Sequence, residues 1–106
     1  MKRPFLSLLV IVLFYVACSA PKKALDNGAV HDGSSYQKAI IINEKHERAG
    51  IDAEYAWIRQ QYPGSKTRGQ ALMYYEKKPF DIIHILTSDS KAIDVYFDIS
   101  KFYGKF

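Results

Sequence analysis

The pattern of apolar and polar residues predicts a strand followed by a helix in the first half of the C-terminal segment. Residues 38–43, KAIIIN, form a β-branched run bounded by polar residues, which is typical of a buried strand. A helix follows, because four apolar residues recur at spacings that place them on one helical face: Ile51, Tyr55, Ile58 and Tyr62. Glu54 falls mostly away from this face, and Pro63 with Gly64 ends the helix.

Three further strands are predicted after the helix. They cover residues 70–76, 80–87 and 92–100, with separating segments at residues 77–79 and 88–91. The last strand has the clearest alternation of apolar and polar positions. One face carries Ile93, Val95, Phe97 and Ile99, and the other carries Asp94, Tyr96, Asp98 and Ser100. We therefore expect one face in the core and one face in solvent.

These elements predict a small α+β domain of β-α-β-β-β order, in which one helix packs on one face of an antiparallel sheet. A solvated second face is typical of antiparallel sheets. The final residues, SKFYGKF, are expected to fold back as a turn, with Phe102, Tyr103 and Phe106 covering an open edge of the core. A domain of about 70 residues has a marginal core, so its aromatic side chains must supply much of the buried area.

The N-terminal residues resemble a bacterial secretory signal. Lys2 and Arg3 precede residues 5–16, which are apolar except for one serine, and small residues follow. A membrane-spanning helix needs roughly 20 apolar residues, so this shorter run favours a leader over a permanent anchor. The sequence YVAC at residues 15–18 resembles the lipobox of bacterial lipoproteins, although Tyr15 stands where that family usually has Leu. In that family the cysteine receives diacylglycerol before the leader is removed.

Two fates of Cys18 remain open. Lipid attachment implies a signal peptide at residues 1–17 and a lipidated N-terminus at Cys18, whereas cleavage after Ser19 would discard the cysteine. The chain has no second cysteine, so a retained thiol would have no intramolecular disulfide partner. Acylation gives this single cysteine a role in an exported protein. The lipobox resemblance implies an exported, membrane-anchored lipoprotein. In some bacteria with two membranes, an aspartate after the lipidated cysteine keeps a lipoprotein in the inner membrane. Ser19 follows Cys18 here. The resemblance therefore implies a location at the outer membrane, facing the periplasm or the cell surface.

Residues 18–35 are predicted to be a flexible tether and residues 36–106 the folded domain. The tether reads CSAPKKALDNGAVHDGSS, with turn-forming residues and no sustained apolar periodicity. Such a composition cannot bury enough surface to offset the entropy of ordering it. The tether would hold the domain beside the membrane.

Charge indicates little about partners. The chain has 15 Lys and Arg against 11 Asp and Glu, and its basic residues are scattered among acidic ones. This pattern predicts no nucleic-acid partner. The expected partners are the membrane, through the N-terminal lipid, and an envelope protein.

Candidate catalytic or metal-binding groups are few. Asp94 and Asp98 are four residues apart in a strand, about 13 Å, which is too far to share an ion or a proton. His84 shares its strand face with apolar neighbours, and the aspartates of the last strand are predicted on the solvent side. We therefore expect no catalytic residue, no metal and no cofactor. The alternative is a small hydrolase or metal-dependent enzyme that uses His84 with Asp81 or Asp98.

Exposed tyrosines beside charges define a candidate interaction surface. Tyr74 and Tyr75 alternate along their strand, so at least one of them is exposed. Tyr96 lies on the outward face of the last strand. The surface consists of Tyr96, Asp94, Asp98 and Tyr74. The alternative role for the tyrosines is cross-strand pairing that only stabilises the sheet.

The segments GIDAEYAWI, KPFDIIHI and VYFDISKFYGKF resemble those of short uncharacterised bacterial lipoproteins, and the likeness spans most of the domain. The resemblance supports the location and the domain limits, and it implies no site residues. We therefore predict a noncatalytic cell-envelope lipoprotein that acts by binding. A second binding alternative is an inhibitor or immunity protein against an envelope-targeted toxin or lytic enzyme.

Overall fold

The computed structural model describes residues 30–106, of which His31–Phe106 form a compact unit. The unit contains one helix and four strands: β1 (Ile40–Ile41), α1 (Glu47–Gln61), β2 (Lys66–Tyr75), β3 (Lys78–Leu86) and β4 (Ala92–Asp98). The predicted α+β class is confirmed. Within residues 30–106, no helix is long and apolar enough to cross a membrane.

The four strands form one sheet in the order β1-β4-β3-β2. β3 is antiparallel to both of its neighbours, whereas β1 pairs parallel with β4, with Ile40 opposite Phe97. The sheet is therefore mixed, and the prediction of an antiparallel sheet is wrong at β1. The reason is chain direction. The crossover through α1 leaves β2 running in the same direction as β1, and the two hairpins then reverse the chain twice, so β4 runs the same way as β1 and pairs with it in parallel.

The turn between β2 and β3 is tighter than the sequence pattern predicts. Tyr75 pairs directly with Lys78, so only Glu76 and Lys77 form the connection. Their φ angles of 50° and 66° are both positive, as a type I′ hairpin turn requires. Neither residue is the Asn or Gly that usually marks such a turn. The prediction that residues 77–79 separate the two strands is wrong, because Lys78 and Pro79 already belong to β3.

The main core lies between α1 and one face of the sheet. The predicted core face of β4 is confirmed, because Val95, Phe97 and Ile99 are at most 2% exposed. Ile58 of α1 packs into the same cluster. The ring of Trp57 meets that of Phe97 edge-on at 5.8 Å between centroids, which ties the helix to the centre of the sheet.

The buried face of α1 overlaps the predicted one but is rotated relative to it: Ile58 is buried and Tyr55 and Tyr62 pack against the core, whereas Ile51 is exposed. Its buried residues are Gly50, Glu54 and Ile58, so the placement of Glu54 away from the apolar face is wrong. Gly50 explains the rotation, since a Cβ there would lie 2.2 Å from the ring of Phe102. A glycine lets the helix approach this buried C-terminal ring. Phe102 is the only residue of the predicted aromatic cover that is buried.

The second face of the sheet is partly covered, which corrects the prediction of a solvated face. The ring of Tyr36 stacks on Tyr75 at 4.2 Å and meets the edges of Phe80 and Tyr96 at 5.0 Å and 4.9 Å. Phe80 is only 2% exposed and Tyr96 is half-buried. Asp98, which the alternation places in solvent, is buried.

The folded unit includes residues 31–35, which the sequence pattern assigns to the tether. The carbonyl of Gly33 accepts a hydrogen bond from the Tyr96 amide at 2.8 Å, and the Gly33 amide donates to the Lys38 carbonyl at 2.7 Å. Gly33 has a φ of 81°, a conformation that glycine adopts without strain. The hydrogen bond from Tyr96 attaches the segment to β4, although the sequence of the segment has no apolar periodicity.

Candidate functional site

The four residues of the predicted interaction surface do not form one surface. Asp94, Tyr96 and Asp98 share one face of β4, which is the face that Tyr36 partly covers. Tyr74 lies on β2, across the sheet, and its ring meets that of the half-exposed Tyr103 at 6.2 Å. The structure therefore brings Tyr74 together with the C-terminal turn and separates it from the other three.

Asp98 stabilises the chain turn that follows β4. Its carboxylate accepts hydrogen bonds from the amide and hydroxyl of Ser100 at 3.0 Å and 2.7 Å, and it pairs with the Lys78 ammonium at 3.2 Å. Burial opposes ionisation, but these hydrogen bonds and the ammonium prevail and lower the pKa of Asp98. The carboxylate of Asp98 is thus engaged by Ser100 and Lys78 of the same chain.

His84 and Asp94 face each other across β3 and β4. The Nδ1 atom of His84 lies 2.6 Å from the Oδ1 atom of Asp94, and both side chains are about half exposed. The expectation that the aspartates of the last strand lie away from His84 is therefore wrong at Asp94. Asp81 points to the opposite sheet face, and Asp98 pairs with Phe80 farther along the strands, so neither suggested partner reaches His84.

A pair of carboxyl groups that the sequence pattern did not indicate lies between α1 and β3. Glu54 is 0% exposed and Asp81 5% exposed. The carboxyl of Glu54 shares a hydrogen bond with that of Asp81 and has no other hydrogen-bond partner among the described residues. Burial, and then the neighbouring Asp81, raises the pKa of Glu54 from 4.5 to about 10. This carboxyl pair, Glu54 with Asp81, therefore holds a proton at neutral pH. The spacing of Gly50, Glu54 and Ile58 was the signal that could have found it.

A cavity of about 200 Å³ opens beside the carboxyl pair, and we call it the edge cavity. Asp81 forms part of its wall. The other walls come from the start of α1, from β2 and from the C-terminal turn: Glu47, Ile51, Gln70, Leu72, Ile99, Phe102 and Tyr103. None of these lining residues is a lysine, arginine or histidine. The wall of the cavity is therefore half apolar and half polar, and its acidic residues are Glu47 and Asp81.

β2 forms one edge of the sheet and contributes Gln70 and Leu72 to the wall of the edge cavity. Leu72, Met73 and Tyr74 are 44%, 43% and 61% exposed. β2 is the last strand in the sheet order, so one side of its backbone has no neighbouring strand within residues 30–106. An edge of this kind presents a row of amides and carbonyls that can pair with another strand.

The predicted lipid attachment at Cys18 lies outside the described residues, as do the predicted signal peptide and most of the tether. Within residues 30–106, no three His, Cys, Asp or Glu side chains come together as metal ligands do. No family model, curated protein or solved structure matches this chain. The candidate site is therefore built from the carboxyl pair, the edge cavity and the β2 edge alone.

Proposed function

We propose that the protein is a noncatalytic binding protein of the cell envelope, and that an extended segment of a partner protein pairs with the β2 edge. The observation that carries this proposal is the ten-residue strand β2, whose outer backbone edge has no neighbouring strand within residues 30–106 and which carries consecutive exposed apolar side chains. Strand addition takes its affinity from main-chain hydrogen bonds and its specificity from alternate side chains.

The two halves of β2 differ in how well they are protected against strand addition. The first half carries Lys66 and Arg68, and its pairing with β3 is irregular between Thr67 and Gly69. Edge charges and bulges of this kind block unwanted pairing. The second half, residues 70–75, reads QALMYY and has no charge. The proposed docking segment is therefore residues 70–75.

A lysine introduced at Met73 is expected to abolish partner binding, because a charge on an edge strand opposes pairing. The measurement is photocrosslinking in the cells that produce the protein, with a benzophenone amino acid in place of Tyr74. We expect a discrete crosslinked envelope protein, and a loss of that product of at least tenfold in Met73→Lys.

The matched control is Ile41→Lys on the opposite edge strand, because Ile41 and Met73 are both 43% exposed. This control should retain the crosslink. Equal crosslinking in both lysine variants, or no product from position 74, would contradict the proposal. A toxin or lytic enzyme as the crosslinked partner would identify the protein as its inhibitor or immunity protein.

We also propose that Cys18 carries the lipid that holds this binding domain at the outer membrane, on the support of the lipobox-like sequence at residues 15–18. Radiolabelled fatty acid is expected to enter the protein, and Cys18→Ser is expected to abolish labelling and move the protein to the soluble fraction. A Ser19→Ala variant, one residue away, serves as the control and should label normally. Labelling of the Cys18→Ser protein would overturn the lipid anchor.

A further inference from the structure

We infer that the strand that pairs with the β2 edge belongs to a second copy of this chain, and that the two β2 strands lie antiparallel about a twofold axis at Met73. The inference rests on the proposed function, because it requires a β2 edge that accepts a strand. The two four-stranded sheets would join at this edge into one continuous sheet.

Most of the exposed large apolar side chains of the domain lie at the β2 edge. Within residues 30–106, five of the eight such side chains form this group, which we call the apolar edge: Ile51, Leu72, Met73, Tyr74 and Tyr103. Successive residues of β2 point to opposite faces, so the apolar edge includes both faces of the sheet. An element that covers both faces at once must run along the strand, as an added strand does.

The backbone of β2 limits the registers that a second β2 can adopt. The two-residue turn makes Tyr75 and Lys78 a hydrogen-bonded pair, so their amides and carbonyls point at each other. Hydrogen-bonded and non-hydrogen-bonded pairs alternate along a ladder, so the backbone groups of Met73 also point to β3, whereas those of Leu72 and Tyr74 point outward. With the axis at Met73, Leu72 of each copy lies opposite Tyr74 of the other, and the outward groups pair with each other.

The side chains of the two copies also match in this register. On the helix side of the sheet, Tyr74 of the second copy lies opposite Leu72, where its ring would cover the mouth of the edge cavity. On the other side, Ala71 faces Tyr75 of the second copy, so a small residue meets a large one. At the axis Met73 faces its own copy. Cross-strand pairs of this kind are what stabilise a sheet.

The polar residues at the ends of the paired segment are complementary. Gln70 lies opposite Glu76 of the second copy in this register. The side-chain carbonyl of Gln70 accepts a hydrogen bond from the Tyr55 hydroxyl at 3.1 Å, which leaves its amide group to donate to a carboxylate. Within residues 30–106, Glu76 takes part in no ion pair. The second copy therefore supplies an acceptor to Gln70 and a donor to Glu76 at both ends.

The positive charges of β2 stay outside the pairing. Lys66 and Arg68 precede the paired segment, and β2 of the second copy ends at its turn before it covers them. At that turn the Lys78 ammonium is engaged by Asp98 of its own chain at 3.2 Å. A long strand of another protein would have to cover both charges. The end of a second β2 instead matches the length of the uncharged segment at residues 70–75.

Sedimentation of the purified full chain measures the association. We expect the parent and Ile41→Lys to sediment with twice the mass of one chain. Met73→Lys places two lysines opposite each other at the axis, so we expect a monomer. Ile41 and Met73 are both 43% exposed, so the two variants make a similar change on opposite edges of the sheet. A monomeric parent, or a Met73→Lys dimer, would overturn the inference.

Disulfide crosslinking tests the register, in a Cys18→Ser background because Cys18 is the only cysteine. Residues at the axis form a non-hydrogen-bonded pair with Cα atoms about 4.5 Å apart, within the range of a disulfide. The two copies of residue 74 would be about 8 Å apart, beyond that range. Met73→Cys should therefore crosslink at least tenfold faster than Tyr74→Cys. Equal rates would overturn the axis at Met73.

The photocrosslink from position 74 separates this inference from the proposed function. A product with twice the mass of one chain would support both. A product with a different protein, together with a monomeric parent, would overturn the second copy and leave strand pairing at β2 intact. A monomeric parent with no product from position 74 would contradict both.

Discussion

Glu54→Gln is expected to flatten the pH dependence of the free energy of unfolding and to stabilise the protein at neutral pH. In the folded state burial raises the pKa of Glu54 from 4.5 to about 10, so the carboxyl stays protonated. The unfolded chain ionises Glu54 once the pH exceeds 4.5. The stability contributed by this group is therefore complete below that pH and falls as the pH rises towards 10, by about 1.4 kcal/mol per pH unit.

Urea unfolding between pH 5 and 9 measures this effect in the full chain. At pH 7 we expect the glutamine variant to be more stable than the parent by about 3 kcal/mol, from a pKa raised by several units. Glutamine keeps the shape of glutamic acid and carries no proton to lose. The other ionisable groups are common to both proteins and cancel in the difference.

The control for Glu54→Gln is Asp52→Asn, because Asp52 lies on the exposed side of the same helix. This variant should keep the slope of the parent protein. Asp98 does not affect the comparison, because its lowered pKa contributes a stability that is fully present between pH 5 and 9 and is lost only at lower pH. Parallel pH profiles for Glu54→Gln and the parent would contradict the buried protonated state of Glu54.

Phe97→Ala is expected to unfold most of the protein at room temperature. Phe97 is 0% exposed and stands at the centre of the core, against Trp57 and opposite Ile40 of β1. Truncation of a buried aromatic residue costs about 3–5 kcal/mol. A single core below about 80 residues rarely supplies more than roughly 3–5 kcal/mol, so the loss is comparable with the whole stability. Thermal unfolding followed by the near-ultraviolet signal of Trp57 measures the result.

Phe106→Ala makes the same chemical change at a residue that is 95% exposed. We expect it to change the free energy of unfolding by no more than about 0.5 kcal/mol, as surface substitutions usually do. Similar melting curves for the two alanine variants would mean that Phe97 is not a central core residue.

Much of the fold could be predicted because its strongest signals are local. The alternation of β4 places Val95 and Phe97 in the core whatever their neighbours are, since successive side chains of a strand point to opposite faces. The end of α1 near Tyr62 follows from Pro63 and Gly64, which cannot continue a helix. The hairpin at Glu76 and Lys77 was missed because neither residue favours positive φ strongly enough to mark the turn.

The candidate site could not be predicted in the same way. A glutamate on a helix is usually assigned to solvent, because ionised carboxylates are rarely buried. Glu54 is buried because Gly50 turns the helix towards Phe102, a ring far away in the sequence. The neighbouring Asp81 reaches Glu54 only when β3 lies beneath the helix. Each of these contacts joins segments that are distant along the chain.

The sequence by itself determined the class of fold, the core face of β4 and the end of α1, because each depends on a pattern within one segment. Only the tertiary structure decided that β1 lies beside β4, that Tyr36 covers the second sheet face, and that Glu54 meets Asp81 next to a cavity. Those outcomes depend on how closely side chains from segments distant along the chain fit together, and the spacing of residues within one segment does not contain that information.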